Sequence, residues 1–106
     1  MSPRPGEVWL ADLGIAAKTR PVVVVSREDE DPPRVLVLYV PLTSEFRGSN
    51  YEVEMPKLAF LRLESVANVQ GIGSLPRKRL ERRLGALPTD VMDRIKQALR
   101  FALDLK

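Results

Sequence analysis

One arginine and two adjacent hydroxyl residues are the groups best suited to chemistry in this sequence. Arg20 lies just before a run of four valines, and Thr43 and Ser44 follow a second aliphatic run that ends at Leu42. Two such runs paired as antiparallel strands would bring the guanidinium and the hydroxyls to the same edge of a sheet. A guanidinium binds two phosphate oxygens at once, and hydroxyls donate to the same oxygens. The spacing therefore predicts a site for a phosphodiester.

Positive charge is concentrated in one short segment. Residues 77–83 contain five cations and one glutamate, a net charge of +4, whereas the whole chain carries +3. The rest of the chain therefore sums to −1, and Glu28–Asp31 forms a compact acidic loop. A basic patch on a near-neutral body indicates a polyanionic partner, although a solvated surface ribbon explains the same charges equally well.

The chain contains no histidine and no cysteine. Their absence removes the usual general acid and base near neutral pH, the commonest metal ligands and any disulfide. We therefore predict neither a metal nor a cofactor. The remaining candidates for a general base are Asp12, at the end of the first predicted strand, and Glu45, beside the two hydroxyls. Either could equally be a solvated loop carboxylate.

The elements that position these groups form a mainly β fold. Consecutive valines must be covered on both faces, which predicts a central strand of a small closed sheet. Because proline has no N–H, we expect Pro21 at the first position of this strand and Arg20 just before it. The other predicted strands are Gly6–Leu13, Arg34–Leu42, Tyr51–Met55, Ser65–Leu75 (interrupted by Gly71 and Gly73) and Arg83–Leu87.

One helix is predicted at the C-terminal end, from about residue 89 to residue 105, with Thr89 or Asp90 as its cap. Its apolar positions span about 200°, roughly twice the arc that one core-facing stripe needs. The surplus predicts a second buried surface, with Phe101 and Leu105 at one margin as candidates for a dimer interface. The alternative is a helix sunk deeply in the mouth of its own barrel.

Length and hydropathy indicate a single domain over residues 1–106. No apolar run approaches the roughly 20 residues that a membrane span needs. We expect a cytoplasmic protein that does not associate with a membrane.

Short blocks along the whole chain resemble the MazF/PemK family of toxins. The first block is Gly6-Glu7-Val8-Trp9 with Asp12-Leu13 and Arg20-Pro21, and the second is Pro41-Leu42-Thr43-Ser44. The third comprises Glu64-Ser65-Val66, Val69-Gln70-Gly71-Ile72, Arg79-Leu80 and Leu84-Gly85.

The resemblance implies an SH3-like barrel with a C-terminal helix, a homodimer and a metal-independent endoribonuclease of a toxin–antitoxin pair. It implies that Arg20 and Thr43 are catalytic, with Ser44 assisting, and that an acidic antitoxin competes with single-stranded RNA for one groove. The residues predicted to bind RNA are Arg47, Gln70, Arg77, Lys78, Arg79 and Arg82.

Two departures from the family pattern bear on activity. The loop before Arg20 is short and lacks a carboxylate, and Gly73 stands where some members have an arginine. Two alternatives therefore remain at this stage. One is a toxin of the same barrel type that binds gyrase, as in the CcdB group, and the other is a barrel that binds nucleic acid without cleaving it.

Overall fold

A computed structural model describes residues 2–14, 19–62 and 64–106. In these residues the chain forms seven strands and one α-helix, and the paired strands are antiparallel. The elements are β1 (Glu7–Asp12), β2 (Thr19–Val24), β3 (Leu36–Thr43), β4 (Glu52–Glu54), β5 (Val66–Asn68), β6 (Gly73–Pro76), β7 (Leu80–Ala86) and α1 (Thr89–Ala102). The strand order is β4-β5-β3-β2-β1-β7, with β6 paired to β3. The predicted mainly β fold with a C-terminal helix is confirmed.

The valines of β2 are buried on both faces of the sheet, as predicted. Val23 belongs to the apolar layer beneath α1, together with Val40 and Ile95. Val22 and Val24 belong to a second layer on the opposite face. We call this opposite face the open face, because the helix does not cover it.

The predicted start of β2 is wrong. The strand begins at Thr19, so Arg20 lies inside it and Pro21 is its third residue. Pro21 stands opposite Leu10 of β1, and the β2–β3 ladder ends one residue away, at Val22 opposite Pro41. The missing N–H is thus tolerated because the ladder to β3 stops beside it, while pairing to β1 continues.

The predicted strand Ser65–Leu75 is two strands, β5 and β6, separated by a 3-10 turn. The turn passes close to β3, since a Cβ added at Gly71 would lie 2.6 Å from Cγ of Pro41. Beyond the turn the chain pairs with the first half of β3, as Tyr39 opposite Gly73 shows. Although its sequence is almost wholly apolar, β3 is not buried along its whole length, because Leu36 and Leu38 are exposed.

In the strand order of the sheet, β4 is the first strand and β7 is the last. The strand predicted over Tyr51–Met55 is therefore confirmed as an edge strand. The final strand is longer than predicted and begins at Leu80 instead of Arg83.

Helix α1 packs its first three turns on the sheet through Val91, Met92, Ile95 and Ala98. The predicted side-chain cap is wrong: Pro88 occupies the cap position without a side-chain hydrogen bond. Beyond these turns the apolar side chains are half-exposed, so the helix end is not sunk in its own barrel. Within the described residues the helix is too short to cross a membrane.

Candidate active site

Arg20 and Thr43 lie on adjacent strands at the same end of the β2–β3 ladder. This ladder pairs Val23 with Val40 and Val22 with Pro41. Continuing its register by two residues aligns Arg20 with Thr43. The predicted juxtaposition of guanidinium and hydroxyl is therefore consistent with the strand register.

The two side chains also share a face of the sheet. Side chains alternate along a strand, so Arg20 projects to the same side as Val22, and Thr43 to the same side as Tyr39. Val22 and Tyr39 both pack in the layer of the open face. Arg20 and Thr43 thus extend this layer to the rim of the sheet, on the side opposite to α1.

Each of these side chains is accessible to a ligand. Arg20 and Ser44 are exposed, and Thr43 is partly buried. The Thr43 hydroxyl accepts a hydrogen bond from the Glu45 N–H at 3.3 Å. Among the described residues, no carboxylate forms a salt bridge with Arg20. The guanidinium is therefore available to an anion.

The two carboxylates predicted as possible bases flank this pair from either side. Asp12 stands opposite Thr19, one position beyond Arg20, and its Oδ1 accepts from the Gly14 N–H at 2.8 Å. Glu45 is two residues after Thr43, and its Oε2 lies 3.6 Å from Nη2 of Arg47. Both are exposed.

The basic cluster separates into two groups. Arg77 donates through Nη2 to the Asp29 carbonyl at 3.0 Å, and its Nε is buried. Arg83 donates through Nε to Glu7 at 2.9 Å. Arg77 and Arg83 are therefore bound to other groups of the protein itself. The other three cations, Lys78, Arg79 and Arg82, are exposed, and within the described residues no salt bridge includes them.

Arg79, directly before β7, extends towards Gly14, two residues after the end of β1. A Cβ added at Gly14 would lie 3.2 Å from its Nη1, and Gly14 has a φ of +79°. In the sheet, Leu80 stands opposite Ala11, which in turn stands opposite Arg20. Arg79 is therefore on the same rim as Arg20, two strands away.

Sequence reasoning missed Glu7 as the centre of a polar network. Its Oε1 accepts from the Arg4 N–H at 2.9 Å and from Nε1 of Trp9 at 3.1 Å, and Oε2 accepts from Arg83. Partial burial acts to raise the pKa of Glu7, but these hydrogen bonds outweigh it and hold the pKa below its ordinary value. The spacing of Glu7 and Trp9, two residues apart on one strand, was the available signal.

The remaining predicted residues occupy other positions. Gln70 is exposed in the 3-10 turn whose Gly71 contacts Pro41, two residues before Thr43. The position of Gly73 is covered by Tyr39, whose hydroxyl would lie 2.9 Å from an added Cβ. A side chain in place of Gly73 would thus clash with this ring.

Phe101 and Leu105, predicted at a dimer interface, remain half-exposed, at 51% and 59%. Phe101 also contacts Tyr51 in the same chain, with ring centroids 5.1 Å apart in an edge-to-face arrangement. It borders a cavity of about 410 Å³ between α1, β4 and the loop that follows Ser44.

No group of three or more carboxylates within residues 2–14, 19–62 and 64–106 could hold a metal ion.

Comparison with known proteins shows which protein family the chain resembles. The family model for PemK-like, MazF-like toxins of type II toxin–antitoxin systems matches residues 4–103. The probable endoribonuclease MazF5 of Mycobacterium tuberculosis is 34% identical over 103 residues, covering 96% of this chain and 94% of the relative. Endoribonuclease MazF6 of the same species is 32% identical over 111 residues, covering 93% and 95%.

Solved structures agree in fold. A mycobacterial endoribonuclease in complex with its cognate antitoxin has a TM-score of 0.85 at 29% identity, covering 98% of this chain and 97% of that chain. A MazE–MazF complex from Deinococcus radiodurans has a TM-score of 0.79 at 25% identity, with both chains fully covered. The fold is thus that of a small, mainly β toxin with a C-terminal helix. The chain belongs to the PemK-like, MazF-like toxin family of type II toxin–antitoxin systems.

Proposed function

We propose that this protein is an endoribonuclease that cleaves single-stranded RNA without a metal ion and arrests growth when its antitoxin is absent. The alignment of β2 with β3 carries this proposal, because the register of Val22 with Pro41 continues to Arg20 and Thr43. The curated relatives described above are named endoribonucleases, which supports the same activity.

In the proposed reaction the ribose 2′-oxygen attacks the adjacent phosphorus, and the bond from phosphorus to the 5′-oxygen breaks. The products are a 2′,3′-cyclic phosphate and a 5′-hydroxyl. A guanidinium offers only donors, so Arg20 stabilises the charge that builds on the phosphoryl oxygens and does not serve as the base. The hydroxyls of Thr43 and Ser44 donate to the same oxygens.

A base must accept the 2′-hydroxyl proton, and the 5′-oxygen must gain a proton as it leaves. Asp12 and Glu45 remain the candidates for the base. Both are exposed carboxylates: Asp12 stands opposite Thr19, the neighbour of Arg20, and Glu45 is two residues after Thr43. Deletion of the base should lower the rate by about 10²–10⁴.

The RNA backbone beyond the cleaved bond is proposed to contact Lys78, Arg79 and Arg82, with Arg47 and Gln70 on the other side of the rim. Arg77 was also predicted to bind RNA. Its bond to the Asp29 carbonyl and its buried Nε favour a structural role instead.

The proposed partners are an acidic antitoxin, which would occupy the same cationic rim, and a second copy of the chain. The exposed end of α1, including Phe101 and Leu105, is the surface that we propose for self-association. The proposed location is the cytoplasm.

The test is cleavage of a single-stranded RNA in the presence of EDTA. Wild-type protein should cut and leave 5′-hydroxyl ends, whereas Arg20→Ala should lose about 10²–10³ in rate with an unchanged melting temperature. Thr43→Val should lose activity that Thr43→Ser retains. Arg34→Ala, which removes an exposed arginine elsewhere on the surface, is the matched control.

Two results would overturn the proposal. Activity that returns only with magnesium would mean a different reaction. RNA binding without turnover would identify a barrel that binds nucleic acid but does not cleave it. The gyrase-binding alternative is not favoured by the relatives, and inhibition of supercoiling with intact RNA would be its signature.

A further inference from the structure

The cavity between α1 and β4 lies on the α1 side of the sheet, and edge strand β4 separates it from the face that carries the proposed catalytic pair. Glu54 of β4 stands opposite Val66 of β5, and Val66 stands opposite Thr43 of β3. Adjacent strands lie about 4.8 Å apart, so the backbones of Glu54 and Thr43 are about 10 Å apart. This distance is comparable with the reach from a phosphate to the edge of its own base. The loop that leaves the catalytic strand at Ser44 forms another wall of the cavity.

The two acidic residues of β4 are used differently. Glu52 accepts hydrogen bonds from the backbone N–H groups of Arg47 and Ser49, both at 3.0 Å, and from the Ser49 hydroxyl at 2.7 Å. The Glu52 carboxylate therefore holds the loop before β4 in place. Glu54 is exposed and lines the cavity, and within the described part of the chain no salt bridge includes it. It can accept hydrogen bonds from a ligand.

The lining of the same cavity includes a partly exposed aromatic ring. Phe46 lines it and is 48% exposed, although no catalytic step uses it. Single-stranded RNA is recognised by bases that stack on aromatic side chains and hydrogen-bond through their edges. The lining carries Glu52 and Glu54 as well as Arg94, so it is not a site of net positive charge. An uncharged base can therefore enter round the edge at β4 while its phosphate stays with Arg20.

We propose that this cavity binds one unstacked guanine of the RNA, with Phe46 as the stacking surface and Glu54 as the acceptor for its Watson–Crick edge. The proposal rests on the function proposed above and specifies which base the enzyme selects. An ionised carboxylate only accepts hydrogen bonds. Guanine alone presents two adjacent donors, N1–H and N2–H, to both of its oxygens. Adenine and cytosine place a ring acceptor beside their amino group, and uracil has a single donor between two carbonyls.

The experiment measures binding separately from cleavage. The probes are fluorescent single-stranded oligonucleotides without 2′-hydroxyls, with guanine, hypoxanthine, adenine, cytosine or uracil at each position in turn. Wild-type protein should prefer guanine at one position by about tenfold or more. Hypoxanthine lacks the N2 amino group and should lose most of this preference.

Glu54→Gln should reduce the guanine preference to less than about threefold and weaken binding of the hypoxanthine probe, which keeps only the N1–H donor, less than binding of the guanine probe. Glu81→Gln, an exposed glutamate of β7 at the other end of the strand path, should keep the preference. Phe46→Leu should weaken binding of every probe by about tenfold. Phe101 also borders the cavity but belongs to the proposed dimer surface, so it is not used as a probe.

A wild-type protein without any guanine preference, or a preference that survives Glu54→Gln, overturns the proposal. Loss of antitoxin-peptide binding in Glu54→Gln, with oligonucleotide binding intact, also overturns it and assigns the cavity to a peptide. Guanine-selective binding without cleavage would overturn the proposed ribonuclease and keep this site. Cleavage without base selection at this position would do the opposite.

Discussion

The separation of the basic cluster into structural and exposed cations makes a quantitative prediction about RNA binding. Among the described residues, four exposed rim cations form no salt bridge: Arg20, Lys78, Arg79 and Arg82. Arg47 is paired with Glu45 at 3.6 Å and is left out of the count. For a single strand, the logarithm of affinity falls against the logarithm of salt concentration with a slope of about −0.7 per phosphate contact. Four contacts give about −2.8, so affinity should fall about 50-fold between 50 and 200 mM salt.

Replacing Lys78, Arg79 and Arg82 together by glutamine should bring the slope to about −0.7 and reduce the same fall to about threefold. Arg83→Gln, which removes an equal charge from the same segment, should leave the slope unchanged because Arg83 is bound to Glu7. Fluorescence anisotropy of a labelled oligonucleotide without 2′-hydroxyls, measured at five or six salt concentrations, gives the slopes.

An equal loss of slope in Arg83→Gln would refute the division of the cluster, since it would mean that net charge alone attracts the RNA. A flat dependence in the wild-type protein would mean that the whole segment is a solvated surface.

Three further predictions concern stability and assembly. Because the fold lowers the pKa of Glu7, the stability that this carboxylate contributes is present above pH 4.5, its ordinary value, and is lost as the pH falls through the lowered value. Glu7→Gln should therefore lower stability at neutral pH and flatten its decline below pH 4.5, as measured by urea unfolding. A Cβ at Gly85 would lie 2.5 Å from the ring of Phe60, so Gly85→Ala should lower the free energy of unfolding by about 1–3 kcal/mol. The double variant with Phe60→Leu should recover part of this loss, and equal melting temperatures for Gly85→Ala and the wild-type protein would contradict the prediction. Leu105→Glu should shift the protein from dimer to monomer in analytical ultracentrifugation without lowering its helix content, and an unchanged mass would place the interface elsewhere.

Much of the architecture followed from local patterns. Four valines in a row could be accommodated only by a strand that is covered on both faces, and β2 meets this condition. The strict alternation over residues 51–55 indicated a one-sided strand, and β4 is an edge strand. The candidate catalytic residues also came from the sequence, through residue type and the resemblance of short blocks to a toxin family.

Errors arose where the outcome depended on a distant neighbour. Pro21 is accommodated inside β2 because the ladder to β3 ends beside it, and local rules for proline carry no information about that partner. The interruption predicted at Gly71 is confirmed, but its form, a 3-10 turn between two separate strands, depends on Gly71 passing against Pro41, 30 residues away in the chain.

The sequence by itself determined the chemistry that is available: a guanidinium, hydroxyls and carboxylates, without histidine or cysteine. Tertiary structure decided how each of these groups is used. Five cations in residues 77–83 look equivalent in the sequence, but the fold brings Glu7 to one and the Asp29 carbonyl to another. Likewise it gives Glu52 three donors and leaves Glu54 facing a cavity. Residue type fixes which bonds a group can make, and only the distances set by folding fix which of those bonds it does make.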